Sequence, residues 1–363
     1  MATLVSPESV ARSAAARAFP GPLDRPWGGA RPDTPHRIGD HLVLGQYVID
    51  LRTQPPDQFD DVSATDWSTL SWSRVGKPHS VERWSSARRA HEQAHGRMRV
   101  HDGWEYFNRS FHQFFLSDVP ADQARAREAL RTALAGVDLH DAQEAIADLF
   151  HLAVWNKIHR VEDAVWDPRG KRALFDGLDV DRPRILFLGA ADGYEAMQLY
   201  AQYPGGEVVL VDYDAFCKTD RFGKFPADYP FLGVDPATGH ARVWYREEMP
   251  IHFEVSDIRQ FAGGQFDVVV SIGLIEHFDD AHKEECFAWH RQFVKPGGWV
   301  VMTTPRNQWR GRAFYTVMSE YMNFGHRELM DVWQMGLYAH EAGFDIRRAG
   351  VIKAHNGLLC KVR

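Results

Sequence analysis

The rhythm of apolar positions changes once along this chain, near Pro183. Downstream, short apolar runs rich in β-branched residues end at Gly, Asp or Pro: Arg184–Leu188 (RILFL), Glu207–Val211 (EVVLV), His252–Val255, Phe266–Ser271 (FDVVVS) and Gly298–Thr303 (GWVVMT). Continuous runs of this length, with helical stretches between some of them, predict buried parallel strands of an α/β sheet. Phe344–Arg347 and Leu358–Val362 predict a closing antiparallel pair, joined by a turn containing Asn356-Gly357. Upstream the spacing is three and four. Trp104, Phe107, Phe111 and Phe114 share one helix face, and Ser80 with Trp84 opens a polar helix toward Met98. Ala121–Leu134 consists of good helix formers, and Asp141 is placed to cap a helix with the stripe Ala145, Leu149, Leu152 and Trp155. His41–Leu51 alternates enough for a short strand or a packed extended segment. Residues 1–40 hold Pro20, Pro22, Pro26, Pro32 and Pro35, a density that forbids long helices and central strands.

This pattern divides the 363 residues into an arm (1–40), a mainly α-helical cap or substrate domain (41–175) and an α/β domain (176–363). The hydrophobic fraction of 44% supplies enough apolar surface for packed cores, which excludes a wholly disordered chain. Forty-two Lys and Arg against 49 Asp and Glu give a net charge of −7, which argues against a dedicated nucleic-acid binder. Cys217, Cys286 and Cys360 lie far apart, so neither a thiolate zinc cage nor a disulfide scaffold is expected and a reducing cytoplasm fits. No apolar run is long enough for a membrane span, and Met1–Pro20 lacks the unbroken apolar stretch of a secretory signal.

The first strand runs into Gly189-Ala190-Ala191-Asp192-Gly193 and then a helical stretch from Tyr194. A strand, a glycine-bearing turn and a helix N-terminus make a nucleotide site, because glycine lets the backbone turn tightly and lets a ligand approach the peptide groups. Asp212 ends the second strand at the distance where an acidic residue accepts from ribose hydroxyls, with Asp214 as the fallback. After the third strand, the Asp257 carboxylate suits an exocyclic amine and the Ile258 N–H a ring nitrogen. The fourth strand leads to Ser271-Ile272-Gly273-Leu274-Ile275-Glu276-His277, and Val294-Lys295-Pro296-Gly297-Gly298 precedes the fifth.

The ordered set GAADG, VLVDYD, SDI, FDVVVSIGLIEHF and VKPGGWVVMTTP resembles the class I S-adenosylmethionine-dependent methyltransferases over about residues 176–363. That resemblance implies a Rossmann-like seven-stranded methyltransferase sheet, S-adenosylmethionine as cofactor and a small-molecule acceptor, such as a secondary metabolite, methylated at O, N or C. It implies that Gly189, Ala190, Asp192 and Gly193 face the methionine half. Asp212 and Tyr213 would border the ribose, Asp257 and Ile258 the adenine, and Ser271 and Ile272 the methyl-donor region. Two positions depart from the family: Phe187 stands where an acidic residue is usual, and Ala191 where a second glycine is usual. Phe216–Arg246, with Pro226, Pro230, Gly233 and Pro236, replaces a plain helix, so an irregular insertion is expected with a hairpin around Asp235–Gly239.

Removing a proton from the acceptor calls for a base near neutrality, which suits histidine. His277, with Glu276 beside it, and His326 are the candidates. Thr304–Phe324, with Arg306, Trp309, Arg312, Phe314, Tyr315 and Tyr321, reads as an aromatic and cationic lid. His91-Glu92-Gln93-Ala94-His95 matches a zinc motif with His101 as a third ligand, but Met98 breaks the longer pattern, so a solvated helix face and no metal are expected. The alternatives are a nucleic-acid or protein methyltransferase, a nicotinamide-dependent oxidoreductase on a similar sheet, and a cofactor-binding subunit without turnover. The missing G-x-G-x-x-G spacing disfavours the oxidoreductase.

Overall fold

The structure is a computed structural model describing residues 36–38, 41–44, 47–50, 60–80, 119–158, 172–223, 225, 230–239, 241–317, 326–352 and 355–363. The chain begins with β1 (His36–Ile38), β2 (His41–Leu44), β3 (Tyr47–Asp50), β4 (Asp60–Asp61), α1 (Trp72–Val75) and β5 (His79–Ser80). The helices α2 (Val119–Ala135), α3 (Leu139–Ile158) and α4 (Arg172–Phe175) follow. Then come β6 (Arg184–Leu188), α5 (Tyr194–Gln202), β7 (Glu207–Asp212), β8 (Pro230–Val234), β9 (Ala241–Tyr245), β10 (Ile251–Val255) and β11 (Phe266–Ile272). The chain closes with α6 (Asp280–Phe293), β12 (Val294–Pro305), α7 (Trp309–Val317), β13 (Glu328–Leu329), α8 (Val332–Glu341), β14 (Phe344–Ile352) and β15 (His355–Val362).

The main sheet has the order β10-β7-β6-β11-β12-β15-β14-β4. The pairs from β10 to β12 are parallel, and those from β12 to β4 antiparallel. This is the α/β, Rossmann-like sheet expected, with seven strands and a two-residue eighth at one edge. Alternation along each strand feeds two cores. Ile185, Phe187, Val208, Leu210, Val268 and Val270 pack with Met197 and Leu199 of α5 and with Phe231 and Trp244 of the β8–β9 hairpin. Leu186, Leu188, Val209, Val211 and Val269 pack on the other face with Phe287 of α6 and Met335 of α8. The strands read as unbroken apolar runs because both faces are covered. The expected hairpin around Asp235–Gly239 is present, β8 pairing antiparallel with β9, after a π-helical turn at Cys217–Phe222.

Four local expectations are corrected. Asn356-Gly357 is not a turn: both residues lie within β15, opposite Val351 and Gly350. Asn356 is buried there, donating to the Met330 carbonyl at 2.7 Å, and a Cβ at Gly357 would come within 2.9 Å of Leu174. The turn-forming pair of residues therefore serves a crowded core strand. Asp138, not Asp141, caps α3: its Oδ1 accepts from the N–H groups of His140 and Asp141, both at 3.0 Å. His36–Ile38, inside the presumed arm, is a strand, and it forms a three-stranded antiparallel sheet with β2 and β3. Residues 60–80, assigned from sequence to the helical domain, pack on the C-terminal sheet. There β4 pairs with β14, β5 pairs with β13, and Trp67 enters the core beside α8. The helix from Ser80 toward Met98, the Trp104–Phe114 face and the motif His91, His95, His101 lie outside the described residues.

Trp67 makes the docking of 60–80 testable. A Cβ at Gly336 of α8 would overlap its indole. Gly336→Ala should displace that ring and cost about 1–3 kcal/mol, the usual penalty of overpacking, read as a lower urea midpoint at unchanged slope. Wild-type stability in that variant would place Trp67 elsewhere.

Candidate functional site

The site lies at the carboxyl ends of β6, β7, β10 and β11, the edge where open α/β sheets bind ligands. The turn after β6 has three left-handed residues: Gly189 (φ 64°), Ala191 (φ 52°) and Gly193 (φ 77°). At Gly193 glycine is required twice over, by φ and because a Cβ would lie 2.5 Å from Leu210. Ala191 takes a left-handed conformation although it carries a Cβ, at a cost of about 1–2 kcal/mol. Its N–H is held by Asp212 Oδ2 at 3.1 Å, while Oδ1 of the same carboxylate accepts from the Asp214 N–H at 3.1 Å. Asp192 Oδ1 accepts from the Tyr194 N–H at 3.1 Å, and its other oxygen lies 3.5 Å from Arg221 on the π-helical turn. Two carboxylates thus order the loop although Phe187 is a buried core residue and offers none.

Asp212 is buried, and desolvation raises its pKa against the opposing backbone hydrogen bonds. A carboxylate has about four lone-pair sites; the backbone uses two here and the Cys217 thiol also bonds to it, which leaves limited acceptor capacity for a ribose hydroxyl. Asp257 accepts three donors from Arg259: the backbone N–H and Nε on Oδ1, and Nη2 on Oδ2 at 2.6 Å. It caps the turn Ile258–Gln260, and the Arg259 hydrogen bonds hold its pKa below the usual carboxylate range. One lone pair remains for an amine. Tyr213 is exposed beside Asp212, and Ile272 is half-buried at the end of β11. The donor set fits an adenosyl group: a glycine turn, an acidic strand end beside it and a second acidic turn on the next strand.

Ser271 is the exception among the expected contacts. Its hydroxyl points into the core, 2.8 Å from His290 Nε2 of α6. His290 Nδ1 donates to the Cys286 carbonyl at 2.8 Å, so Nε2 is the acceptor and Ser271 the donor. Ser271 is fully buried and its backbone lies between β6 and β12 in the sheet.

The turn after β11, Ile275–His277, abuts the glycine loop, where a Cβ on Gly189 would lie 3.1 Å from Leu274. Here the structure gathers a network that the sequence reading saw only in part. Glu276, 1% exposed, lies 3.4 Å from Arg327 Nη1. Arg327 also sets Nη2 3.4 Å from His277 Nε2 and its guanidinium over the Tyr315 ring at 4.5 Å. His277 Nδ1 donates to the His326 carbonyl at 3.0 Å. Beside it Lys283, 2% exposed, donates to the Ile275 carbonyl at 3.1 Å and to Glu328 Oε2 at 2.8 Å. Glu328 Oε1 lies 3.4 Å from His326 Nε2. Arg327, Lys283 and Glu328 went unrecognised because no local pattern marks them; the one available signal was their closeness in sequence to His326 and His277. Of the expected lid, Tyr315 joins this network, Trp309 is 74% exposed, and Tyr321 lies outside the described residues.

Burial, and then the charge of Arg327, push the His277 pKa down to about 3. Burial pushes His290 down to about 4. Both rings are neutral in the folded protein and titrate near 6.5 when unfolded, so the unfolded state binds more protons between those limits. Stability is therefore fully present above pH 6.5 and is lost as the pH falls toward 4. Each ring should remove about 2 kcal/mol between pH 7 and pH 5. Urea unfolding at the two pH values checks this, and equal free energies would contradict both burials.

A family model described as a methyltransferase domain matches residues 139–349. The chain is similar to the ubiquinone biosynthesis O-methyltransferase of Rhodopseudomonas palustris (strain BisB18), with 27% identity over 190 residues, 50% of this chain and 71% of the relative. The corresponding protein of Bradyrhizobium sp. (strain ORS 278) is 25% identical over 174 residues, 46% of this chain and 66% of the relative. Among solved structures it resembles an O-methyltransferase family protein from Burkholderia thailandensis. That match has a TM-score of 0.41 and 17% identity, and it covers 62% of this chain and 61% of the other. The latter two are thus spanned over less than two thirds of their own length.

Proposed function

The chain belongs to the methyltransferase domain family, whose model spans more than half of it, and on that premise we propose that it transfers the methyl group of S-adenosylmethionine to a small molecule (EC 2.1.1). The observation that carries this reading is the Asp212 carboxylate, buried at the end of β7 with one oxygen on the glycine loop and acceptor capacity remaining. When bound, S-adenosylmethionine supplies a sulfonium methyl, an electrophile that needs alignment more than activation. Asp212 receives the ribose hydroxyls, with Tyr213 at its side. Gly189, Ala190 and Gly193 let backbone meet the methionine portion, and Asp192 offers the carboxylate that Phe187 lacks. Asp257 uses its remaining lone pair on the adenine amine, Ile258 its N–H on the ring, and Ile272 borders the donor region. Holding the acceptor in line supplies much of the rate, in favourable cases about 7–11 kcal/mol.

For the acceptor atom we favour oxygen, a reading supported by the names of the two curated relatives. A hydroxyl must lose its proton, and His326 is the better base. Both ring nitrogens of His277 have protein partners and its pKa is far below neutrality, so it acts as an anchor for the His326 backbone. Glu276, paired with Arg327, is a structural anion and not a reacting group. Tyr315 and α7 form part of the acceptor wall. Among the described residues no helix is long and apolar enough to cross a membrane, and all three cysteines are buried free thiols, which supports a cytoplasmic setting.

Calorimetry of the full chain with S-adenosylhomocysteine tests the cofactor reading; saturable heat is expected. Label transfer from methyl-labelled S-adenosylmethionine to catechol, and to a matched set of amines, tests the acceptor class. A folded protein giving no heat with S-adenosylhomocysteine would end this reading.

A further inference from the structure

We propose that Arg221, on the π-helical turn after β7, is a positioning residue for the cofactor: it engages the Asp192 carboxylate and so locks the glycine loop in the shape that receives S-adenosylmethionine. The inference rests on the methyltransferase reading and extends it to a segment outside every motif that carries that reading.

Three observations carry it. First, the turn Cys217–Phe222 is wound so that the Gly223 N–H reaches the Lys218 carbonyl, five residues back, at 2.9 Å. It sets Arg221 Nη2 3.5 Å from Asp192 Oδ2, with the two side chains only 11% and 19% exposed. A pair this far withdrawn from water is screened less than a surface pair.

Second, the loop needs a hold at both ends. Asp212 takes the Ala191 N–H and Asp192 the Tyr194 N–H, each at 3.1 Å, around the left-handed Ala191. Two carboxylates of like charge thus bracket one short loop. Arg221 acts on both, by contact with Asp192 and by a charge that opposes the effect of burial on the Asp212 pKa. Cys217, on the same turn, also hydrogen-bonds Asp212, and because burial pushes its thiol pKa up it does so as the donor.

Third, the turn is anchored apart from the loop it braces. Phe222 lies 5.6 Å from the Phe253 ring of β10, with the Arg246 guanidinium 4.3 Å over it. Phe225 and Phe231 of β8 meet Tyr194, the first residue of α5, at 6.4 and 5.6 Å. The segment between β7 and β10 therefore supports the glycine loop by one aromatic contact and one charged contact. A loop already ordered in the free protein does not take its ordering cost out of the binding free energy. Loss of the charged contact should therefore appear as weaker cofactor binding.

Calorimetry of the full chain with S-adenosylhomocysteine tests this. Arg221→Gln should weaken binding about tenfold, within the range of coupling between contacting residues. Arg221→Lys should recover much of the loss, because it restores the charge. In the Asp192→Asn background, Arg221→Gln should have little further effect, since both changes break one contact. Amide exchange of the free protein gives a second readout: in Arg221→Gln the Ala191 and Tyr194 amides should exchange faster, while those of the core residues Val269 and Val300 stay as in wild type. Undiminished affinity in folded Arg221→Gln overturns the proposal, as does faster exchange of core and loop alike, which would mark a general loss of stability. Should Arg221→Gln not fold, Asp192→Asn reads the same contact from its other side, and wild-type affinity there overturns it. Absence of S-adenosylhomocysteine binding in wild type would instead remove the methyltransferase reading, while the exchange of the free loop would still decide whether Arg221 holds it.

Discussion

Asp212→Ala should weaken S-adenosylhomocysteine binding at least ~100-fold. Hydrogen bonds to an ionised acceptor contribute about 1.5–3 kcal/mol each, and on the proposed reading both ribose hydroxyls engage this carboxylate. Losing both costs about 3 kcal/mol or more, which is a little over two decades in Kd. The carboxylate also holds the Ala191 and Asp214 N–H groups, so the truncation releases a loop already strained at Ala191. Asp212→Asn separates the two contributions: it keeps one oxygen acceptor but turns the other into a donor, so an intermediate loss is expected. Calorimetry with S-adenosylhomocysteine reads both variants against wild type. Undiminished affinity in Asp212→Ala would mean that the ribose is held elsewhere.

The second large effect is on stability. Arg327→Met should cost about 3–5 kcal/mol, the range found when one partner of a buried ion pair is removed. The guanidinium neutralises Glu276, meets the lone pair of His277 and stacks on Tyr315. Without it the Glu276 carboxylate, 1% exposed, stays in the core beside Gly273. The double variant Glu276→Met/Arg327→Met should be markedly more stable than Arg327→Met, because replacing both charges of a buried pair by apolar groups is often close to neutral. Urea unfolding of the single and double variants measures this. A double variant no better than Arg327→Met would show that the loss lies in packing against Tyr315 and not in removal of the charge facing Glu276.

Much of the fold was legible because its strands are buried on both faces. Arg184–Leu188, Glu207–Asp212 and Phe266–Ile272 read from sequence as unbroken apolar runs, and such runs have few alternatives in water. The glycine turn was legible for the same reason at Gly189 and Gly193, where a left-handed backbone admits few other residues. Ala191 shows the limit of that logic. The sequence marked it as a departure, and only the structure shows that the backbone conformation persists under a methyl group because Asp212 holds its N–H.

Asn356-Gly357 was misread because the letters that favour a hairpin turn also suit a strand where a side chain would collide with Leu174. Residues 60–80 were misassigned because pairing across hundreds of residues, such as Asp61 with Gly350, leaves no periodic trace. Ser271 and Asp257 kept their places in the sequence motif, while their side chains took partners, His290 and Arg259, that no spacing announced.

The sequence by itself therefore determined the parallel sheet, the glycine turn and the acidic strand ends, since each follows from local constraints of burial, dihedral angle and chain order. The tertiary structure alone decided which partners the buried Glu276 and His277 take. That outcome depends on Arg327 meeting the turn after β11 from a segment about fifty residues later. The protonation of a buried group is set by the charges and dipoles that surround it in space, and chain spacing does not record them.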